Sequence, residues 1–155
     1  MTGMSVSEHK ARALQSVRCF IVTVSDTRTI ETDTSGRAIV TDDPDLVRGI
    51  IERQLVAAAD VQAIITTGGT GITSRDRTYE AVSALLQKRL DGFGELFRML
   101  SYEQIGPAAM MSRACAGLVA GRIVVSLPGS EAAVRLALEK LLIPELGHLV
   151  EQATK

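Results

Sequence analysis

Residues 61–77, VQAIITTGGTGITSRDR, carry the reading that decides the fold. An apolar run closes on Thr66 and Thr67. A glycine-rich step follows, and Asp76 stands between Arg75 and Arg77, ahead of the helix-forming TYEAVSALLQKRL at 78–90. The order is strand, glycine turn, helix start. Such a turn aims backbone N–H groups at a helix N-terminus, where negative charge is favoured. Residues 68–77 are therefore expected to hold a phosphate or another anionic ligand, against the plainer reading of a tight βα turn.

The familiar phosphate-loop patterns do not fit. A Walker A loop requires Lys and then Ser or Thr after its second glycine; Ile72 follows Gly71 here. The dinucleotide fingerprint requires a third glycine where Ser74 stands. Asp91 mimics the acid of that fingerprint in its spacing, but it lies beyond the helix and is read as a decoy.

Two more apolar runs, 18–24 (RCFIVTV) and 122–127 (RIVVSL), are near-continuous, as strands covered on both faces are. Helical patterns lie between them. In 45–58 the apolar stripe is Leu46, Ile50, Ile51 and Leu55; in 78–90 it is Val82, Leu85, Leu86 and Leu90. Further helices are expected at 95–103, at 107–120 with Cys115 inside, at 131–142 ending before Pro144, and at 145–152. Gly92–Glu95 reads as a break between helices, and Met99, Met110 and Met111 as core filler. Strands alternating with helices predict an α/β fold, a three-layer α/β/α sandwich around a mostly parallel sheet. Three polar turns, TVSDTRT, TTGGTG and SLPGS, then share one sheet edge, where ligands of such sheets bind.

The 155 residues carry 17 basic and 18 acidic side chains, a net charge of −1. That balance argues against a nucleic-acid partner or a basic membrane surface. No apolar run is long enough to span a bilayer, and the first residues lack a secretory core, so a cytoplasmic protein is expected. Residues 1–15 read as a tail and 16–155 as one domain. Cys19 and Cys115 form no C-x-x-C; Cys19, inside the apolar run CFIVTV, is expected to be a buried free thiol, and Cys115 stands among small residues. His9 and His148 stand too far apart to suggest a zinc site or a catalytic triad.

Several polar residues admit two readings. Asp42 and Asp43 precede Pro44 and can cap the helix that follows, or hold a ligand. Ser130, after Leu127-Pro128-Gly129, is a sensible N-cap or part of a second anion cradle. Asp76 is a loop charge, a cap for the helix near Thr78, or a carboxylate that meets a bound anion through a cation such as Mg²⁺. Ser25, Asp26, Arg28 and Asp33-Thr34-Ser35-Gly36 form a polar loop after the first strand. Arg98, Ser101 and Arg113 are candidate ligand contacts.

The segments TVSDTR, DTSG, DDPD, TTGGTGITSRD, GFGELFRMLSYEQIG, MSRACAG and SLPGS occur in this order between about Ser16 and Leu149. Together they resemble the MoaB/Mog family, molybdenum cofactor biosynthesis protein B and the related molybdopterin adenylyltransferases. The resemblance implies transfer of AMP from ATP to molybdopterin, with Mg²⁺, by a homotrimer or homohexamer. By motif position it makes Asp76 and Asp42 the catalytic, Mg²⁺-holding acids. Thr67, Gly68, Gly69, Thr70 and Gly71 become the ligand loop, and Ser25, Asp26, Ser101, Pro128, Gly129 and Ser130 line the same pocket. A catalytically silent molybdopterin-binding or scaffold paralogue is the alternative. The chain departs from the family between Gly36 and Asp42, where only Arg37–Thr41 intervene. A crossover helix and returning strand need about a dozen residues or more and are not expected to fit there.

Overall fold

The computed structural model describes residues 14–27 and 38–155. The tail before Leu14 with His9, and Arg28 and Asp33–Gly36, lie outside the described residues. A six-stranded sheet runs in the order β2-β1-β3-β6-β5-β4. Its strands are β1 (Cys19–Val24), β2 (Ala38–Val40), β3 (Ala63–Thr67), β4 (Lys88–Arg89), β5 (Cys115–Val119) and β6 (Arg122–Leu127). The first three and β6 are mutually parallel; β5 and β4 are antiparallel additions at one edge. Chain order departs in opposite directions from β1, to β2 on one side and β3 on the other. The switch point therefore lies between the carboxyl ends of β1 and β3.

Helices α1 (Pro44–Ala57) and α2 (Thr78–Leu85) cover one face of the sheet. Val47, Ile50 and Ile51 of α1 and Ala81 and Val82 of α2 pack on Val22, Val24, Ile64 and Val124. Helices α3 (Asp91–Ile105), α4 (Glu131–Ala137) and α5 (Ile143–Ala153) cover the other. There Phe97, Leu136, Leu142 and Val150 meet Ile65, Ile123, Val125 and Leu127. The expected three-layer α/β/α sandwich is thus present. Strand β3 is buried along its whole length, as its unbroken apolar run requires. No helix among the described residues is long and apolar enough to cross a membrane.

Several elements differ from the sequence reading, each for a local reason. Residues 107–120 are not a helix: a 3₁₀ turn covers Gly106–Met111, and Cys115 lies on β5. The hairpin from β5 to β6 turns on Ala120 (φ 48°) and Gly121 (φ 73°), the paired left-handed residues of a type I′ turn. The strand CAGLV has one β-branched residue, Val119, and so carries little strand signal of its own. Helix α2 stops at Leu85, and Leu90 packs in the opposite core. Gly92 and Gly94 lie inside α3 rather than in a break; a side chain at Gly94 would meet the Ala114 carbonyl at 2.9 Å, so glycine lets this helix close on β5.

Pro144 does not end the helical run. A π turn at Leu138–Leu142 joins α4 to α5, and Pro144 sits in the first turn of α5, where its missing N–H costs least. On α1, Leu46 is exposed and Val47 takes its place in the core. Met99, Met110 and Met111 are surface residues, not core filler. Cys115 is buried, but Cys19 is only half-buried. Finally, Ala38–Val40 does form a returning strand beside β1. It is three residues long and parallel to β1, with Val22, Thr23 and Val24 opposite Ala38, Ile39 and Val40.

Ala120 carries a left-handed backbone that costs a side-chain-bearing residue about 1–2 kcal/mol. Ala120→Gly is expected to raise stability by about 0.5–1 kcal/mol after the added freedom of the unfolded chain is subtracted. A urea midpoint unchanged or lower than the parent's contradicts this.

Candidate functional site

The site grows from the carboxyl ends of β1, β3 and β6. The Gly68 N–H donates to the Leu127 carbonyl at 2.9 Å, and Gly129 sits against Gly68, its would-be Cβ 3.3 Å from the Gly68 Cα. The glycine loop and the Pro128-Gly129-Ser130 turn are therefore neighbours. Ser130 caps α4, its hydroxyl accepting from the Ala133 N–H at 3.3 Å. From β1, the Ser25 N–H donates to the Val40 carbonyl, and the Asp26 carboxylate accepts from the Asp42 N–H at 3.2 Å.

The paired acids before α1 divide their roles. Asp43 is the N-cap: its Oδ1 accepts from the N–H groups of Asp45 and Leu46 at 2.8 and 3.2 Å. Asp42 turns away from its own helix and reaches α2. Its Oδ1 accepts from the Thr78 hydroxyl at 3.0 Å and the Arg77 N–H at 3.2 Å. It thereby satisfies the start of a helix whose own N-cap position offers no side-chain acceptor. Asp76 is neither a free loop charge nor a cap. Its Oδ2 accepts from the Thr73 N–H at 2.9 Å and the Thr73 hydroxyl at 2.6 Å, while Oδ1 receives no donor among the described residues.

Both carboxylates press on the same loop. A Cβ at Gly69 would stand 2.4 Å from Asp42 Oδ2, and one at Gly71 would stand 2.7 Å from Asp76 Oδ2. Only glycine admits acids so close, and Gly69 also adopts φ 64°. The loop carbonyls face the protein: Gly69 O accepts from the Thr78 N–H, and Thr70 O and Gly71 O from Arg113. The N–H groups of Gly69, Thr70, Gly71 and Ile72 donate to no group among the described residues. A loop with carbonyls bound and amides unspent offers donors of the kind an anion accepts from.

Thr67 and Thr70 are buried in this loop. Ser101 is not presented to it by any described contact; buried in α3, its hydroxyl donates to the Phe97 carbonyl at 2.8 Å. Asp91 opens α3 and pairs with Arg89. No group of three or more His, Cys, Asp or Glu side chains capable of holding a metal occurs among the described residues.

Residues 21–148 match the family model described as a probable molybdopterin binding domain. The chain belongs to this family. Molybdopterin-binding-domain relatives include the molybdenum cofactor biosynthesis protein B of Bacillus cereus, 52% identical over 94% of this chain and 96% of the relative. That of Bacillus subtilis is 48% identical over 98% and 99%. These alignments run over 167 and 171 positions, more than the 155 residues here, so the relatives carry residues without a counterpart in this chain. A crystal structure of a molybdenum cofactor biosynthesis protein B superposes with a TM-score of 0.83, at 46% identity over 92% of this chain and 98% of that one. The tungsten cofactor synthesizing protein MoaB of Pyrococcus furiosus gives 0.77 at 33% identity over 92% and 100%.

Arg113 is more central to this molybdopterin-binding-domain protein than sequence reasoning made it. It is three-quarters buried, stacks 4.9 Å above the Tyr79 ring and pairs with Glu80. The pairing holds the Glu80 carboxyl below its ordinary value. A carboxyl depressed on folding adds stability above its unfolded value, and that stability is lost as pH falls through its folded value. Glu80→Gln should therefore cost about 0.2–1 kcal/mol near neutral pH, and nothing at the acid end of the carboxylate range. Urea midpoints of both proteins across that range check this; a gap independent of pH refutes it. Burial pushes the Cys115 thiol up to about 11, which leaves it a packing residue and a poor nucleophile.

Proposed function

We propose that this protein acts in molybdenum cofactor biosynthesis by binding molybdopterin and transferring AMP to it from Mg²⁺-ATP. The observation that carries the reading is the cradle: unspent N–H groups from Gly69 to Ile72, flanked by Asp42 and Asp76. The family resemblance supplies the substrate, and the cradle supplies a reason for phosphate to sit there. Ser25, Asp26, Thr67, Gly68, Pro128, Gly129 and Ser130 are proposed to line the same ligand pocket, with Ser101 behind it.

The chemistry suits these residue types. A terminal phosphate oxygen of molybdopterin attacks the α-phosphorus of ATP. The new P–O bond forms as the bond to the β-phosphate oxygen breaks, and pyrophosphate leaves with that electron pair. A phosphate monoester with a second pKa of about 6 is already largely ionised, so no strong general base is needed. The loop N–H groups align the two anions and stabilise charge at phosphorus. The donor set fits Mg²⁺, which takes one or two carboxylates and shares its remaining sites with phosphates and water. Asp76 Oδ1 is open for it, and Asp42 lies beside the same loop. Mg²⁺ bound there would neutralise the phosphates that the two acids otherwise repel.

A homo-oligomer, trimer or hexamer, is part of the reading. Leu96, Met99, Tyr102, Ile105 and Met110 leave an exposed apolar surface on α3 and the turn after it, which supports self-association. Binding without transfer has its own supporting observation, the engagement of Asp42 as a cap for α2. One assay separates the two: molybdopterin, Mg²⁺ and ATP, scored for pyrophosphate and adenylylated product. A folded oligomer that binds molybdopterin and releases no pyrophosphate sinks the transferase reading in favour of the silent one.

A further inference from the structure

We propose that Arg113 is the positioning residue of the glycine loop, a clamp that sets where the cradle amides and both acids point. The inference rests on the reading above that this loop holds the ligand. Arg113 stands just before β5 and reaches the loop from behind. Its backbone N–H donates to Thr70 O at 3.2 Å, its Nε to Gly71 O at 2.8 Å, and its Nη2 to Asp76 O at 2.8 Å. Glu80 fixes Nη1 and the Tyr79 ring lies beneath the guanidinium, so the fork itself cannot swing.

A trans peptide group is planar, with its N–H opposite its carbonyl. Holding Thr70 O inward therefore turns the Gly71 N–H outward, and holding Gly71 O does the same for Ile72. The third grip links the acids. The Asp76–Arg77 peptide is held on its carbonyl by Arg113 and on its N–H by the Asp42 carboxylate. Asp42 and Asp76 are thus registered to one another through a single peptide plane that Arg113 fixes. Arg113 is also the one residue that lines both the cleft of about 450 Å³ beside Asp76 and the cleft of about 430 Å³ between α2, α3 and β5, among the described residues. Lysine cannot replace it: an ammonium is a point donor without the planar fork that holds the Gly71 and Asp76 carbonyls and Glu80 at once.

The test needs no substrate. Amide hydrogen exchange is followed at the Arg77 and Thr78 N–H groups, with Val124 and Val125 of β6 as internal controls. In Arg113→Lys and Arg113→Ala, exchange at Arg77 should quicken by about tenfold or more while the β6 amides keep their rates, as expected of local opening. Added methylguanidinium should slow it again in Arg113→Ala. Unchanged Arg77 protection overturns the proposal. So does quickening that spreads evenly to β6 in Arg113→Lys, which assigns Arg113 a plain stability role. A parent protein that fails to transfer AMP sinks the transferase reading alone and leaves this exchange result standing.

Discussion

Asp76→Asn is expected to lower AMP transfer by about 10²–10³-fold or more, the scale on which removal of one preorganised electrostatic group acts. The substitution isolates charge. An amide oxygen can still accept from the Thr73 N–H and hydroxyl, which now bond Asp76 Oδ2 at 2.9 and 2.6 Å, so the turn keeps its shape. Volume is also conserved beside Gly71, where there is no room for a larger group. What is lost is the anionic oxygen that meets Mg²⁺ among the phosphates. Pyrophosphate release at saturating ATP and molybdopterin gives the rate, and sedimentation shows that the assembly survives. Turnover equal to the parent's would remove Asp76 from the chemistry altogether.

The reason Asp76 could be singled out from sequence, and Arg113 could not, is physical. Asp76 acts within its own loop: its partners Thr73 and Gly71 are a few positions away, so the pattern GGTGITSRD contains the whole device. Arg113 acts on residues distant in sequence, and its approach depends on β5 being a strand. That strand was invisible because Cys115-Ala116-Gly117 opens it with small residues where β5 is crowded between β6 and β4, a side chain at Gly117 being forbidden by the Lys88 carbonyl. Local composition there favours helix, and tertiary pairing overrides it. The strands that were legible, β1, β3 and β6, are those with near-continuous apolar runs, β3 and β6 being buried along nearly their whole length. Strand β4 is only Lys88–Arg89, joined through its backbone, and its side chains carry no strand signal at all. Gly92 and Gly94 misled in the opposite direction: they serve helix packing, yet helix propensity counts against them.

Asp42 divides the same way and yields the sharpest pair of variants. Its proximity to Pro44 made capping of the next helix the natural reading, and its neighbour Asp43 does that work. Asp42 instead closes the start of α2, through the Arg77 N–H and the buried Thr78 hydroxyl. Two roles are therefore superimposed on one carboxylate: a cap that supports the fold, and a proposed Mg²⁺ ligand. Asp42→Ala removes both. It should cost about 0.5–2 kcal/mol of stability, the range for a lost N-cap, and abolish transfer by about 10²–10³-fold. Asp42→Asn keeps an oxygen for Thr78 and the Arg77 amide and removes only the charge. It should fall within about 0.5 kcal/mol of the parent in urea, a cap of the same rank, yet be as inactive as the alanine variant. Chemical denaturation and pyrophosphate release, measured on the same three proteins, read the roles separately. An asparagine variant that is stable and active would confine Asp42 to capping α2 and leave Asp76 as the sole acid of the reaction. One that is stable and inactive, beside an alanine variant that is both weaker and inactive, is the outcome the shared peptide plane between Asp42 and Asp76 leads us to expect.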